Sequence, residues 1–171
     1  AIGAPQNDGN GFNSGHVRIY QNTNNNWVQV GSDIDGEVWG DNSGYSVSLS
    51  SDGSVVAIGA PYNHHSDNKY LGLYSGHVRI YKNTNNNWVQ IGSDIDGEND
   101  NDYSGRSVSL SSDGSVVAIG AKGNDGNGSD SGHVRVFQWD GNPTWKQFSF
   151  FNSTTAKDVV NEWFLSSTPT T

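Results

Sequence analysis

The chain has 171 residues, of which 32% are hydrophobic, and a formal net charge of −9 at pH 7. A negative field of this size repels phosphate backbones and anionic lipid surfaces, which excludes nucleic acid and membrane surfaces as partners. Cysteine is absent, which excludes a disulfide framework and thiolate chemistry, and no apolar run approaches the length of a membrane span.

The composition indicates strands joined by many turns. The 22 glycines and the numerous Asn, Ser and Asp residues are typical of turns. The apolar residues are mostly β-branched and stand in short runs, which favours strands over helices. Six Trp and seven Tyr residues supply large buried areas at a few positions. We therefore expect an all-β fold.

A sequence repeat organises the chain. The text SGHVRIYQNTNNNWVQVGSDIDGE at 14–37 returns almost unchanged at 75–98, and SVSLSSDGSVVAIGA occurs twice without a change. The spacing is 61 residues from Gly15 to Gly76 but 56 from Gly76 to Gly132. The middle copy therefore contains an insertion ahead of Gly76. Outside this insertion, the similarity of the copies predicts the same structure for each of them.

Each complete copy predicts four antiparallel strands. In the middle copy the four runs are YSVSLS at 45–50, VVAIGA at 55–60, GHVRIY at 76–81 and NWVQIGSDI at 87–95. Asp52 and Gly53 form a strong hairpin signal between the first two runs. In the third run, Val78 and Ile80 share one face, and the residues between them point to the other face.

One such sheet cannot bury both of its faces alone. We therefore expect the copies to stack as blades of a β-propeller, with about 2.75 blades present. The expected domains are propeller blades over 1–150 (a partial blade at 1–43, full blades at 44–104 and 105–150) and a tail over 151–171. In the tail, 155–165 has the spacing of a short helix, and a linker follows it. Propellers need ~4 to 8 blades to close, so the chain is either a piece of a longer protein or closes a ring through oligomerisation.

The text GYSVSLSSDGSVVAIGAP at 44–61 resembles the FG-GAP repeats of integrin-alpha-like propellers. The family pattern is an aromatic-Gly start, a strand, an Asp/Gly hairpin and a strand that ends in Gly-Ala-Pro. SDGSVVAIGAP, SGHVR and GSDIDGE also resemble tandem repeats in large secreted or surface proteins of marine microbes. This resemblance covers 1 to about 148 and implies a propeller module outside the cell. The calcium hairpin of many such blades, DxDxDG, is here only SSDGS, so that calcium site is not carried over.

The insertion in the middle copy is a candidate contact loop. Loops on a rigid scaffold are where recognition usually takes place, and this one brings Tyr and Leu side chains to a single position in the repeat. The candidate contact residues are His64, His65, Tyr70, Leu71, Leu73 and Tyr74. We expect them to meet a protein or a stacked sugar, and the alternative is a loop folded over its own blade.

An acidic run follows the fourth predicted strand. Asp94, Asp96, Glu98, Asp100 and Asp102 fall on every second residue. Oxygen ligands at this density suit Ca²⁺, although the run lacks the residue order of an EF-hand. The run is either a calcium site or a solvated acidic loop, and calcium is the one cofactor that the sequence indicates.

The histidines do not indicate catalysis. His16, His77 and His133 occupy one repeat position, whereas an active site needs a unique constellation, so we interpret them as scaffold residues. We expect a non-enzymatic structural or adhesive module, secreted or at the cell surface, that contacts proteins or glycans and further blades of its own or a neighbouring chain. Two alternatives stay open: a fragment of a propeller hydrolase whose axial site other blades complete, and a purely architectural assembly subunit.

Overall fold

The computed structural model describes residues 1–64 and 73–148. All the regular secondary structure in these two ranges is β-strand. The strands form antiparallel sheets that group into three blades, which confirms the all-β, propeller-like architecture expected from the repeat. The helix predicted at 155–165 lies outside the described residues. Over the described ranges we find no helix with the length and apolar character that crossing a bilayer requires.

The three blades follow the repeat in chain order. Blade 1 contains β1 (Ile2–Ala4), β2 (His16–Arg18), β3 (Tyr20–Thr23), β4 (Asn26–Gln29) and β5 (Ile34–Asp35). Blade 2 contains β6 (Ser46–Leu49), β7 (Val55–Ala60), β8 (His77–Thr84), β9 (Asn87–Gln90) and β10 (Ile95–Asp96). Blade 3 contains β11 (Ser104–Leu110), β12 (Val116–Ala121), β13 (His133–Gln138) and β14 (Lys146–Gln147). Blade 1 begins at the counterpart of β7.

The outer strand of blade 2 is broken into two pieces. β9 pairs with the second half of β8, and β10 pairs with its first half. Between the two pieces Gly92 adopts a φ of 75°, and the indole of Trp145 from blade 3 lies directly against it. Gly31 and Trp88 repeat this contact between blades 1 and 2. The fourth strand predicted as one run at 87–95 is therefore two short strands joined by a turn.

Strand alternation gives blade 2 two apolar faces, each covered by a neighbouring blade. Along β7, Val56 and Ile58 point to blade 1, whereas Val55 and Ala57 point to blade 3. The core between blades 1 and 2 contains Val17, Ile19, Ile34, Val56, Ile58 and Tyr81. The core between blades 2 and 3 contains Val55, Ala57, Val78, Ile80, Ile95, Val117, Ile119, Phe137 and Trp145. Each of the two interfaces thus removes apolar side chains of both its blades from water, which stabilises the stack.

Backbone hydrogen bonds also join the blades at one end. The N–H groups of Ser43 and Ser104 donate to the carbonyls of Ser14 and Ser75, at 2.9 and 2.8 Å. Gly76, with a φ of 71°, permits this approach, since a Cβ there would lie 2.2 Å from the carbonyl oxygen of Ser104. The loops that carry the acidic residues and several tyrosines therefore meet at this end of the blades.

Candidate functional site

Two basic side chains of β8 face blade 1. His77 and Arg79 alternate with Val78 and Ile80, so they lie on the face opposite the core shared with blade 3. The Arg79 guanidinium donates to the carbonyl of Asp35 at 2.8 Å, and its Nη1 lies 3.6 Å from Glu37 Oε1. Both acceptors belong to blade 1, so Arg79 links the two blades.

His77 completes this group, which we call the first junction (Glu37, His77, Arg79 and Asp94). The imidazole is 2% exposed, and its Nδ1 lies 3.5 Å from Asp94 Oδ2 and 3.9 Å from Glu37 Oε2. Burial, reinforced by the Arg79 charge, lowers the pKa of His77 to about 4. The histidine is therefore neutral at pH 7, and it is too deeply buried to act on a substrate.

The same arrangement recurs between blades 2 and 3, as the second junction (Glu98, His133 and Arg135). Arg135 donates to the carbonyl of Asp96, its Nη1 lies 3.9 Å from Glu98 Oε1, and His133 Nδ1 lies 3.6 Å from Glu98 Oε2. In each case the β-strand carrying His and Arg meets a glutamate of the preceding blade. His77 and His133 thus lie at interfaces between blades, where a scaffold residue would be placed.

Blade 1 pairs its own residues at this position. Arg18 and His16 both turn to Asp33, at 2.8 and 3.5 Å. The hydrogen bond from Arg18 lowers the pKa of Asp33 to about 2. The contact is exposed to solvent, so it contributes little to stability. In blades 2 and 3 the same repeat residues instead reach across to the preceding blade.

The first junction predicts a pH dependence of stability. The pKa of His77 has an ordinary value of 6.5, which applies to the unfolded chain, and falls to about 4 in the folded protein. Between pH 6.5 and pH 4 the unfolded chain therefore binds more protons than the folded chain, and lowering the pH favours unfolding. Burial raises the pKa of Glu37, which opposes part of this effect. We expect the free energy of unfolding to fall by about 2 kcal/mol between pH 6.5 and pH 4. Urea unfolding across this range measures it.

The control for this experiment is His77→Gln, which removes the titrating group and keeps a polar side chain of similar size. We expect the stability of H77Q to change much less across the same pH range. The exposed carboxylates Asp52 and Asp113, whose pKa values hydrogen bonds from serine lower to about 2, affect stability only at lower pH. Equal pH dependence in H77Q and the natural chain would contradict the assignment to His77.

The five residues of the acidic run do not converge on one point. Asp94 lies in the first junction and Glu98 in the second, while the carbonyl of Asp96 accepts from Arg135. Asp102 is buried and accepts from the backbone of Asn99 at 3.1 Å and from the Asn124 amide at 3.0 Å. Asp100 is exposed. The run therefore serves several different contacts between loops and blades.

Each of the three repeat-position histidines nevertheless lies close to two carboxylates. The three groups are His16 with Asp33 and Asp35, His77 with Glu37 and Asp94, and His133 with Glu98 and Asp102. Within each group the candidate ligand atoms lie within 4.8 Å of one another. A histidine nitrogen suits a transition metal better than Ca²⁺, which prefers oxygen ligands. Calcium binding by the acidic run stays a prediction, and a melting temperature unchanged by a chelator would remove it.

A cluster of four tyrosines, not identified from the sequence, occupies the loop end of blades 2 and 3. We call Tyr45, Tyr62, Tyr74 and Tyr103 the tyrosine cluster. The Tyr62 ring is central, with ring centroids 5.2 to 6.1 Å from the other three. These distances and steep interplanar angles are typical of edge-to-face aromatic packing.

Two cations lie over rings of this cluster. The Arg106 guanidinium is 4.1 Å from the Tyr45 ring centroid, and the Lys122 ammonium is 4.6 Å from that of Tyr103. Such distances allow cation–π attraction. Tyr45 is exposed and the other three rings are half-buried, so the surface combines aromatic area with positive charge on an otherwise acidic protein.

The candidate contact loop begins and ends beside this cluster. His64 packs against Tyr74 with ring centroids 4.8 Å apart and tilted ring planes, and His64 Nδ1 lies 3.0 Å from the carbonyl oxygen of Leu73. The structure thus brings together three of the six candidate contact residues. The other three, His65, Tyr70 and Leu71, lie outside the described residues.

Comparison with known families identifies the repeat. The family described as FG-GAP repeat matches residues 94–137, from the acidic run to the end of the apolar part of β13. No curated protein matches the chain. Residues 33–81 carry nearly the same text, with the insertion added. Residues 94–137 therefore match an FG-GAP repeat, and the stacked four-stranded blades are consistent with an FG-GAP-like repeat protein.

Proposed function

We propose that this chain is a non-enzymatic structural and adhesive module, secreted or displayed at a cell surface, that binds a protein or glycan through the loop end of its blades. The observation that carries the proposal is the tyrosine cluster with its two flanking cations. The extracellular location rests on the resemblance of the repeats to those of surface proteins.

The tyrosine cluster has the chemistry of a recognition surface. Tyrosine combines a large apolar ring with a hydroxyl group, so one side chain can stack on a sugar or a ligand side chain and also hydrogen-bond to it. The four rings come from three loops held by the blades, with Tyr62 and Tyr74 in the same loop, and this scaffold reduces the entropy lost on binding. Arg106 and Lys122 add two cationic side chains whose N–H groups can donate to hydroxyl or carboxylate groups of a ligand.

The first junction supports a role without catalysis. His77 is enclosed between two blades, and the nearby carboxylates Glu37 and Asp94 face it and Arg79. Groups committed to an interface in this way are positioned to hold blades together. General acid–base catalysis needs a group that can reach the proton it moves on a bound substrate.

The test compares two exposed aromatic residues. Tyr45→Ala removes the most exposed ring of the tyrosine cluster, and Trp39→Ala removes an exposed ring of the same loop that is not part of the cluster. We expect Tyr45→Ala to weaken binding about tenfold, because a stacked ring contributes about 1 kcal/mol or slightly more, and Trp39→Ala to leave binding unchanged. The probes are a glycan array and solubilised cell-surface protein, with affinities measured by biolayer interferometry.

Equal binding by the two variants would place the contact elsewhere on the molecule. The absence of binding to both probes by the natural chain would contradict the proposal as a whole. Replacing Arg106 by methionine provides a second variant, since it removes the charge over Tyr45 and keeps the apolar stem. We expect that variant to lose affinity mainly for acidic ligands.

A further inference from the structure

Because the blades repeat, the same face can be compared in a blade where a neighbour covers it and in a blade where none does. Ile58 of blade 2 is 1% exposed against blade 1, while its counterpart in blade 1, Ile2, is 61% exposed. Trp145 of blade 3 is 8% exposed against blade 2, while its counterpart Trp27 is 70% exposed. We call the blade 1 surface formed by Ile2, Tyr20 and Trp27 the leading face. These residues line an apolar groove that no neighbouring blade fills among the described residues.

The opposite end of the stack carries the other half of the same interface. Val78 of blade 2 is fully buried against blade 3, while its counterpart in blade 3, Val134, is 67% exposed. Ala118 and Val136 line up with it and are half-buried, although the equivalent Ala57 and Ile80 are buried. We call the surface formed by Ala118, Val134 and Val136 the trailing face.

The two internal interfaces show how a leading face meets a trailing face. At both, a tryptophan of the later blade donates its indole N–H to a carbonyl of the earlier blade: Trp88 to Val30 at 2.8 Å, and Trp145 to Ile91 at 3.0 Å. Around these bonds the aliphatic side chains of both blades form a continuous core. Two independent copies of this interface therefore have the same design.

We propose that copies of this chain associate head to tail, the trailing face of one copy covering the leading face of the next. Each copy carries one uncovered half of an interface that the same polypeptide forms twice internally, so the partner that fits either face is a blade of this sequence. The two halves differ, so the contact is heterologous and adds copies in one direction until a ring closes. Burial of Ile2, Trp27 and Val134 stabilises it.

The proposal is tested by sedimentation equilibrium of the 171-residue chain over a wide range of concentration. Moderate salt screens the repulsion between copies of net charge −9. We expect the average mass of the natural chain to rise with concentration. Trp27→Lys damages the leading face and Val134→Lys the trailing face, so we expect each variant alone to stay at the monomer mass. All substituted side chains are exposed, so the fold is retained, and circular dichroism checks it.

Mixing the variants tests the direction of association. Trp27→Lys keeps an intact trailing face and Val134→Lys an intact leading face, so an equimolar mixture is expected to form dimers and nothing larger. Val89→Lys is the matched control. Val89 and its counterpart Val28 are both exposed, so this position lies outside the blade interfaces and V89K is expected to associate like the natural chain.

Three results would overturn the proposal. The first is a natural chain that remains monomeric at every concentration, which would mean that another partner or the chain's own remaining residues cover these faces. The second is loss of association in Val89→Lys as large as in Val134→Lys. The third is a mixture of the two variants that stays monomeric. None of these measurements involves a glycan or protein ligand, so the result is independent of the proposed function.

Discussion

Replacing Ile58 by alanine is expected to lower the free energy of unfolding by about 4 kcal/mol, whereas Ile2→Ala should lower it by less than about 1 kcal/mol. The two residues hold the same position in the repeat. Ile58 is enclosed in the core between blades 1 and 2, to which Val17 and Tyr81 also belong, while Ile2 lies on the uncovered leading face. Alanine at position 58 leaves a cavity between two rigid sheets, and alanine at position 2 leaves none.

Urea unfolding, followed by tryptophan fluorescence, measures both changes. The experiment is done at high dilution, where the chain is monomeric and Ile2 is not covered by a second copy. If both variants lost the same amount of stability, blade stacking would not be the source of the core, and the two interfaces would have to be reconsidered. A loss confined to Ile58→Ala would show that a blade is stabilised by its neighbour.

Much of the fold could be predicted because the repeat and the local chemistry agree. The second strand of blade 2 was predicted at 55–60, and β7 spans Val55–Ala60. The Asp-Gly hairpin fixes the start of this strand. Its unbroken apolar run indicates that both faces of the strand are covered by neighbouring sheets. The break between β9 and β10 could not be predicted, because it depends on Trp145 of the next blade lying against Gly92. That contact is tertiary, and the sequence within 87–95 does not contain it.

The candidate site was harder to predict than the fold. Alternate carboxylates such as Asp94, Asp96 and Asp102 would share one face of a long strand, but β10 is only two residues long and Asn101 and Tyr103 then adopt positive φ. The carboxylates consequently diverge to different blades. The glutamate that meets His77 belongs to the preceding blade, so its role depends on how the sheets stack. The sequence feature that could have indicated the junctions is the His and Arg pair that recurs on one face of the same strand in each copy.

The tyrosine cluster illustrates the same limit. The sequence identifies Tyr74 as a contact residue because it ends the insertion, whereas Tyr62 begins the same loop and Tyr45 and Tyr103 lie in two other loops with no shared motif. Stacking of the blades at Ser43 and Ser104 brings these loops together. The sequence could indicate that the middle copy is special, but only the assembled blades show which aromatic residues surround its loop.

Alanine at Gly59 is expected to be among the most destabilising substitutions in the chain, at about 3 kcal/mol, because it drives a methyl group into the backbone of the next blade. A Cβ at Gly59 would lie 2.1 Å from the carbonyl oxygen of Gly105 and 2.4 Å from Ser46 Oγ. The serine can rotate away. The carbonyl belongs to a strand that pairs on its own sheet, so blades 2 and 3 would have to separate at this point.

Gly120→Ala is the matched control, since Gly120 holds the same position in blade 3 and lies in an identical 15-residue text. A Cβ at Gly120 would meet only Ser107 Oγ at 2.4 Å, and its next contacts are at 3.7 Å or more. Neither glycine has a positive φ, so conformational strain and strand propensity cancel between the variants. We expect G120A to change stability by less than about 1 kcal/mol, measured by urea unfolding at high dilution. Because the local sequence is the same, a large difference between the variants can come only from the neighbouring blade, and equal stabilities would mean that blades 2 and 3 do not meet at Gly59 and Gly105.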